Sequence, residues 1–159
     1  MNIWADADSL SPKVREVLSR RHGKNAPNTS IVIQVFFVSC KKLPETESSQ
    51  CAYILVEQLE DAADLYILER ASVGDIIVTR DILFAEKAVL RGIIAINDRG
   101  TLWTEANIHE RVSVRNFAKE LRDAGVSSSG RKVGLEAKDI QNFAGALDRA
   151  IAQSAAKLN

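Results

Sequence analysis

The fold is decided by residues 1–8, MNIWADAD. Ile3 to Ala5 have the apolar character of a buried strand, yet this strand runs directly into Asp6 and Asp8. Two carboxylates two positions apart at the end of a strand point to the same side of the sheet. At roughly 4 to 6 Å in a partly screened site their repulsion costs on the order of a few kcal/mol, unless a cation or a proton lies between them.

Length and composition restrict the class of protein. The chain has 159 residues and a formal net charge of zero, which fits one domain and excludes the broad cationic surface of a non-specific DNA-coating protein. Two cysteines are too few for a disulfide framework or a four-cysteine zinc site, so we expect a cytoplasmic protein. No apolar run approaches the ~18 residues needed to span a bilayer, so we expect no membrane association.

Apolar segments of strand length alternate along the chain with segments of helical period. This alternation predicts a three-layer α/β domain whose central sheet is mainly parallel and flanked by helices. We expect strands at residues 2–5, 30–38, 53–56, 75–79 and 93–97.

Helices are expected between and after these strands. Ser11 followed by Pro12 is a good helix start, and Asp61 opens a helix that should turn Ala62, Leu65 and Leu68 inward. A helix is expected from about Ile82 to Leu90. After the fifth strand we expect a short helix near 106–111, a second from Val114 to Gly125 and a flexible basic loop at 127–132.

The last expected helix, at about 135–158, should pack on the rest of the chain, because its apolar residues fall on one stripe. These residues are Ile140, Phe143, Leu147, Ile151 and Leu158. With no repeat and no second domain in evidence, we expect residues 1–159 to form a single domain.

Aspartates follow several of the predicted strands. In an open α/β sheet ligands bind outside the carboxyl ends of the strands, which would gather these carboxylates in one crevice. A cluster of carboxylates suits Mg²⁺ or Mn²⁺, and a metal pair held in this way can support phosphodiester hydrolysis. The candidate metal ligands are Asp6, Asp8, Asp61, Asp64, Asp81 and Asp98.

Three of these aspartates have alternative structural roles. Asp61 and Asp81 each stand at a helix start, where either could cap the helix or stabilise its dipole. Asp98 lies in the sequence Asn-Asp-Arg-Gly, which is typical of a turn.

Four motifs together resemble the YaiI/YqxD family of small bacterial proteins. They are IWADAD at 3–8, DAAD at 61–64, GDIIVTRD at 74–81 and INDRG at 96–100. The resemblance runs from residue 1 to about Gly125 and continues weakly into the last helix. That family is similar to the PIN-like nuclease superfamily, so the resemblance implies a metal-dependent nuclease acting on RNA or single-stranded nucleic acid.

Carried over by position, the resemblance implies that Asp6, Asp64 and Asp81 form the catalytic, metal-binding set. Asp8, Asp61 and Asp98 match less securely. Family members usually read Asp-Ala-Cys-Pro near the first aspartates, and this chain lacks that cysteine. They also commonly have proline where this chain has Asp98, so the family implies no role for Asp98.

Two other functions compete with a nuclease. An apolar strand followed by Asp-x-Asp also resembles a haloacid-dehalogenase-type phosphatase, with Asp6 as nucleophile, Asp8 as general acid, Thr79 contacting phosphate and Lys87 as charge partner. That family's usual threonine after Asp-x-Asp is absent here.

The third candidate is a non-catalytic module that binds RNA or a protein on a degenerate PIN-like scaffold. A basic rim around the carboxylates would serve it, as a phosphate backbone requires. The rim residues are Lys41, Lys42, Arg80, Arg99, Arg111, Arg115, Arg131 and Lys132.

Overall fold

The computed structural model describes residues 1–44, 50–126 and 134–158. Its strands are β1 (Asn2–Asp6), β2 (Gln34–Ser39), β3 (Ala52–Leu55), β4 (Ile76–Val78), β5 (Ile94–Ile96) and β6 (Leu102–Trp103). They form one sheet in the order β3-β2-β1-β4-β5-β6. β1 to β5 are parallel and β6 is antiparallel to β5. The expected α/β class with a mainly parallel sheet is confirmed.

Helices cover both faces of this sheet. They are α1 (Pro12–Ser19), α2 (Ala62–Arg70), α3 (Ile82–Leu90), α4 (Glu105–Asp123) and α5 (Ala137–Leu158). α1 and α5 pack on one face, whereas α2, α3 and the start of α4 pack on the other. Side chains alternate along a strand, so Ile3 and Ala5 of β1 join the first core and Trp4 joins the second. The result is a three-layer α/β architecture.

The strand order creates a crevice between β1 and β4. From β1 the chain moves outward to β2 and β3, and it then crosses back to place β4 on the other side of β1. The two strands are in register at Ala5 and Val78, so their carboxyl ends lie side by side. Such a switch point is where ligands bind in open α/β sheets.

β2 is shorter than the sequence predicts, because the backbone of residues 31–33 forms hydrogen bonds with residues 23–26. Ile31 and Ile33 accept backbone hydrogen bonds from Ala26 and Gly23, both at 2.8 Å, and the Ile33 N–H donates to Lys24 at 2.8 Å. These apolar residues pair with the segment after α1 instead of joining the sheet. β3 begins and ends one residue earlier than expected.

α2 does not turn Leu65 inward as predicted. Its buried residues are Ala63, Ile67 and Leu68, and Leu65 is 54% exposed. Ala63 and Ile67 are four residues apart and define the buried face, which leaves Leu65 on the outside.

The two helices predicted after the fifth strand form one helix, α4. No glycine or proline interrupts it, and the Ser113 hydroxyl donates to the His109 carbonyl one turn back, at 2.9 Å, so the serine continues the helix. Only Ile108 of α4 is buried. β6 was not predicted, because two residues are too short to leave a strand pattern.

The basic loop expected at 127–132 lies outside the described residues. Within the described ranges, no helix combines the length and the apolar character that crossing a membrane requires.

Candidate functional site

Thr79 connects the ends of β1 and β4. Its hydroxyl donates to Asp6 Oδ2 at 2.9 Å and accepts from the backbone N–H of Asp81 at 3.0 Å. Thr79 is fully buried, and Asp6 is 7% exposed. One side chain therefore fixes the carboxylate at the end of β1 and the backbone that follows β4.

Burial raises the pKa of Asp6 above its ordinary value. The hydrogen bonds from Ser9 and Thr79 act in the opposite direction, and the negative charges of Asp8 and Asp81 add to the increase. The neutral form of Asp6 is favoured by the loss of water and by its acidic neighbours.

Asp81 is the N-cap of α3, which is the alternative structural role predicted for it. Its Oδ1 accepts from the backbone N–H groups of Leu83 and Phe84, at 2.8 and 3.2 Å. Asp81 Oδ2 has no hydrogen bond within the described residues. Capping therefore holds the carboxylate in place and leaves one of its oxygens available to a ligand.

Asp64 lies in the first turn of α2, which packs on β1 and β2. Its carboxyl group is half-buried, and burial is the main cause of a pKa of about 7, compared with an ordinary value of 3.8. The charges of Asp6, Asp81 and Asp61 raise the pKa further, and Lys87 lowers it. At neutral pH Asp64 is therefore protonated in about half of the molecules.

Asp8 and Asp61 lie at the rim of this cluster and are exposed. The Asp8 carboxylate accepts from the backbone N–H of Cys40. Asp61 occupies the N-cap position of α2 with a φ of 57°, and its side chain makes no capping hydrogen bond. Asp61 is therefore the N-cap residue of α2 by position, as its alternative role predicts, but without a side-chain capping bond.

Asp98 follows β5 and pairs with Arg80. It is 4% exposed, and its Oδ2 is 3.3 Å from Nε of Arg80 in an ion pair without hydrogen-bond geometry. Burial raises its pKa, against the attraction of Arg80 and Arg99. The ion pair with Asp98 holds the Arg80 guanidinium beside the segment that follows β4.

Comparison with known proteins identifies the family. The family model described as "Uncharacterized BCR, YaiI/YqxD family" matches residues 4–153. The chain belongs to the YaiI/YqxD family. A UPF0178 protein of Psychromonas ingrahamii is 42% identical over 150 residues, which are 94% of each chain. A UPF0178 protein of Myxococcus xanthus is 39% identical over 149 residues, covering 94% of this chain and 93% of the relative.

All six candidate aspartates lie inside the matched region. A UPF0178 protein of Treponema pallidum is also similar, at 37% identity over 153 residues, covering 96% of this chain and 82% of that protein. No solved structure matches the chain. The site of this YaiI/YqxD protein is therefore interpreted from its own geometry.

The clustered aspartates do not form a ready metal site. In the described part of the chain, no group of three or more histidine, cysteine, aspartate or glutamate side chains is placed to hold a metal ion. Asp6 and Asp81 lie close enough to Asp64 for their charges to raise its pKa.

Sequence analysis missed the role of Ser9 in this YaiI/YqxD protein. Its hydroxyl donates to the Asp6 carbonyl at 2.9 Å and accepts from the backbone N–H of Arg80 at 3.2 Å. Ser9 thus makes a second connection between the segments after β1 and β4. Its spacing of three residues from Asp6 is the turn pattern that could have indicated it.

The predicted basic rim is only partly assembled around the aspartates. Arg80 pairs with Asp98, and Arg99 pairs with Asp139 on α5 at 2.7 Å. Arg111 lies on α4, and Arg131 with Lys132 falls outside the described residues.

Proposed function

We propose that this chain is a divalent-metal-dependent phosphodiesterase of PIN-like type that acts on RNA or single-stranded nucleic acid. The observation that supports the proposal best is the pKa of about 7 at Asp64, caused by burial and by the charges of Asp6 and Asp81. Keeping these carboxylates together costs free energy unless a proton or a cation neutralises them. Binding of Mg²⁺ or Mn²⁺ would offset this repulsion between the carboxylates.

The chemistry of the donors fits such an ion. Mg²⁺ and Mn²⁺ prefer carboxylate oxygens, and one oxygen of Asp81 makes no hydrogen bond to any described residue. Asp6, Asp64 and Asp81 would hold the ion, with Asp8 and Asp61 at the rim. When bound, it would polarise a phosphodiester oxygen and lower the pKa of a water molecule.

The remaining residues hold and orient these groups. The Thr79 hydroxyl fixes one oxygen of Asp6, and two backbone N–H groups of α3 fix one oxygen of Asp81. The Arg80 guanidinium is held by buried Asp98 but remains largely exposed, so it can attract a phosphate group. The protein thus contributes carboxylate oxygens that hydrogen bonds hold in place, with a cation beside them.

A non-catalytic module that binds nucleic acid is the second candidate. It is favoured by the absence, among the described residues, of three metal-ligating side chains already in place. In such a protein the aspartates would keep their capping and bonding roles, and binding would depend on the arginines alone.

The test is cleavage of end-labelled single-stranded RNA and DNA in the presence of Mg²⁺, Mn²⁺ or EDTA. We expect metal-dependent cleavage that Asp6→Asn, Asp64→Asn and Asp81→Asn each abolish. The matched control is Asp123→Asn, which changes an exposed aspartate at the end of α4 and should retain full activity.

Other outcomes would support the competing functions. Binding without cleavage in every variant would favour the binding module. Hydrolysis of small phosphomonoesters that is lost in Lys87→Ala would favour the phosphatase, because only that mechanism uses Lys87.

A further inference from the structure

An arginine-rich cleft lies beside Asp81, between the start of α3 and the outer part of α4. Its volume is about 450 Å³, and its charged lining consists of Arg80, Asp81, Arg111, Arg115 and Arg122. This volume is in the range of small-ligand sites, roughly 300 to 1,000 Å³. We call it the arginine cleft.

The guanidinium groups of α4 in this cleft are not neutralised by the protein. Arg111 and Arg122 make no hydrogen bond or ion pair within the described residues, and Arg115 bonds only to the amide oxygen of Asn116, at 3.2 Å. Asp81 is the only acid among the described residues of the lining. In a chain of zero net charge, this is a local concentration of positive charge that would attract a polyanion.

The same part of α4 exposes an apolar stripe. Val114, which lines the cleft, is 50% exposed, and Phe117 and Leu121 are 61% and 36% exposed. Residues three and four apart share one side of a helix, so this stripe is continuous with the wall of the cleft. A partner of α4 should therefore offer apolar surface as well as negative charge.

We propose that the arginine cleft binds single-stranded nucleic acid, with Arg111, Arg115 and Arg122 contacting phosphates and Phe117 stacking on a base. Unpaired bases supply the apolar surface that the stripe requires, whereas a duplex presents mainly its phosphates. Arg111 and Arg122 are separated by roughly 16 Å along the helix, since each residue rises ~1.5 Å. That distance corresponds to about five stacked nucleotides at ~3.4 Å each.

This proposal rests on the proposed function and extends it, because it assigns the surface that would present a strand to the aspartates. Asp81 is common to the aspartate cluster and to the cleft. A strand on α4 would thus enter the site from the side of α3.

The test is the binding of a fluorescein-labelled single-stranded RNA, followed by anisotropy in EDTA so that no cleavage occurs. The test variant is Arg111→Gln/Arg115→Gln/Arg122→Gln. These arginines are exposed and make no ion pair in the described structure, and glutamine is a good helix former, so the variant should fold. The matched control is Lys24→Gln/Lys119→Gln/Lys138→Gln, which removes equal charge at exposed positions outside the cleft.

We expect the wild type to bind and the arginine variant to bind at least 10-fold more weakly. Three phosphate contacts on a single strand make log affinity fall with log salt concentration with a slope of about 2. Between ~50 and ~200 mM salt, these contacts alone should weaken wild-type binding by about 20-fold. The arginine variant should lack this part of the salt dependence, and the lysine control should keep it. Phe117→Ala should weaken binding roughly 5-fold or more through lost stacking.

Several results would overturn the proposal. They are equal binding by the wild type and the arginine variant, equal binding of a duplex of the same sequence, or no binding at all. A wild-type dimer that Phe117→Ser separates, with no RNA bound, would instead assign the stripe to a contact between copies.

The proposed function is tested separately, by cleavage of the same RNA with Mg²⁺ or Mn²⁺ present. If Asp6→Asn and Asp81→Asn bind RNA normally but the wild type cleaves nothing, the nuclease proposal fails and the arginine cleft stands. If the wild type cleaves RNA and the arginine variant cleaves and binds equally well, the arginine cleft is refuted alone.

Discussion

Asp64→Asn should stabilise the metal-free protein by an amount that grows with pH. In the folded state the pKa of Asp64 is about 7, against 3.8 for the same group free in water. Between pH 4 and 7 the folded protein therefore holds a proton that the unfolded chain has released. Since the folded state binds more protons, its stability falls as the pH rises through this window, and it stays low above pH 7.

The magnitude follows from the difference in pKa. The full difference corresponds to about 4 kcal/mol, at ~1.36 kcal/mol per unit. Asp64 is only half-buried, so screening by water reduces the expected effect to about 2 kcal/mol. Asparagine resembles the protonated acid and carries no charge. Asp64→Asn should therefore match the wild type at pH 4 and be ~2 kcal/mol more stable at pH 8, which is a rise in Tm of roughly 4–8 °C.

The assay is thermal and urea unfolding in EDTA at a series of pH values from 4 to 8. Asp123→Asn is the matched control, and its stability should differ from the wild type by less than about 0.5 kcal/mol at every pH. A stabilisation of Asp64→Asn that is the same at pH 4 and pH 8, or no stabilisation at pH 8, would refute the link to ionisation of Asp64.

Three further predictions concern the same region and the fold around it. Mg²⁺ or Mn²⁺ should raise the Tm of the wild type more at pH 8 than at pH 6, because metal and proton compete for the aspartates. Asp81→Asn should lose this metal-induced rise in Tm but keep the cap of α3, since asparagine caps a helix equally well. Thr79→Val should lower the free energy of unfolding by about 1–3 kcal/mol, measured in urea, because buried Asp6 and an N–H group lose their partner; unchanged stability would contradict it. Gly100→Ala should cost more than Gly23→Ala in the same assay. Both have positive φ, but only at Gly100 would a Cβ lie 2.5 Å from a backbone oxygen of α5.

Alternation of apolar strands with helical segments was enough to predict the class of fold. Strands with apolar residues on both faces must be covered by helices on both faces. The apolar sequences of β1 and β4 therefore predicted a three-layer arrangement. The Ser11-Pro12 start of α1 was also recognised, and the Ser11 hydroxyl accepts from the N–H of Val14. Such local rules hold because the interacting groups are adjacent in sequence.

The sequence-based predictions failed where the structure of a segment depends on contacts with residues distant in the sequence. Residues 31–33 have the composition of a strand, but their backbone pairs with the segment after α1. Val114 and Phe117 fall on one apolar face of α4, yet both are exposed. Hydrophobic period gives the face of a helix but does not say what covers that face.

The candidate site shows the same division. Proximity of Asp6 and Asp81 was predictable from the position of the strand ends, and Asp64 on α2 lies close enough for their charges to raise its pKa. The ion pair of buried Asp98 with Arg80 was not predictable, because it depends on how the segments after β4 and β5 pack together. The bonding of the Thr79 hydroxyl was not predictable either, because its oxygen bonds to both Asp6 at the end of β1 and Asp81 after β4, which are far apart in sequence.

α5 also sets the order in which the protein can be completed during synthesis. Phe143 and Leu147 of this helix are fully buried in the same core as Ile3 and Ala5 of β1. β1 emerges from the ribosome long before α5 does, so for well over half of translation only α1 among the two helices on that face can cover it. Such non-local closure is slow and favours aggregation, and we expect the nascent chain to depend on chaperones until α5 arrives.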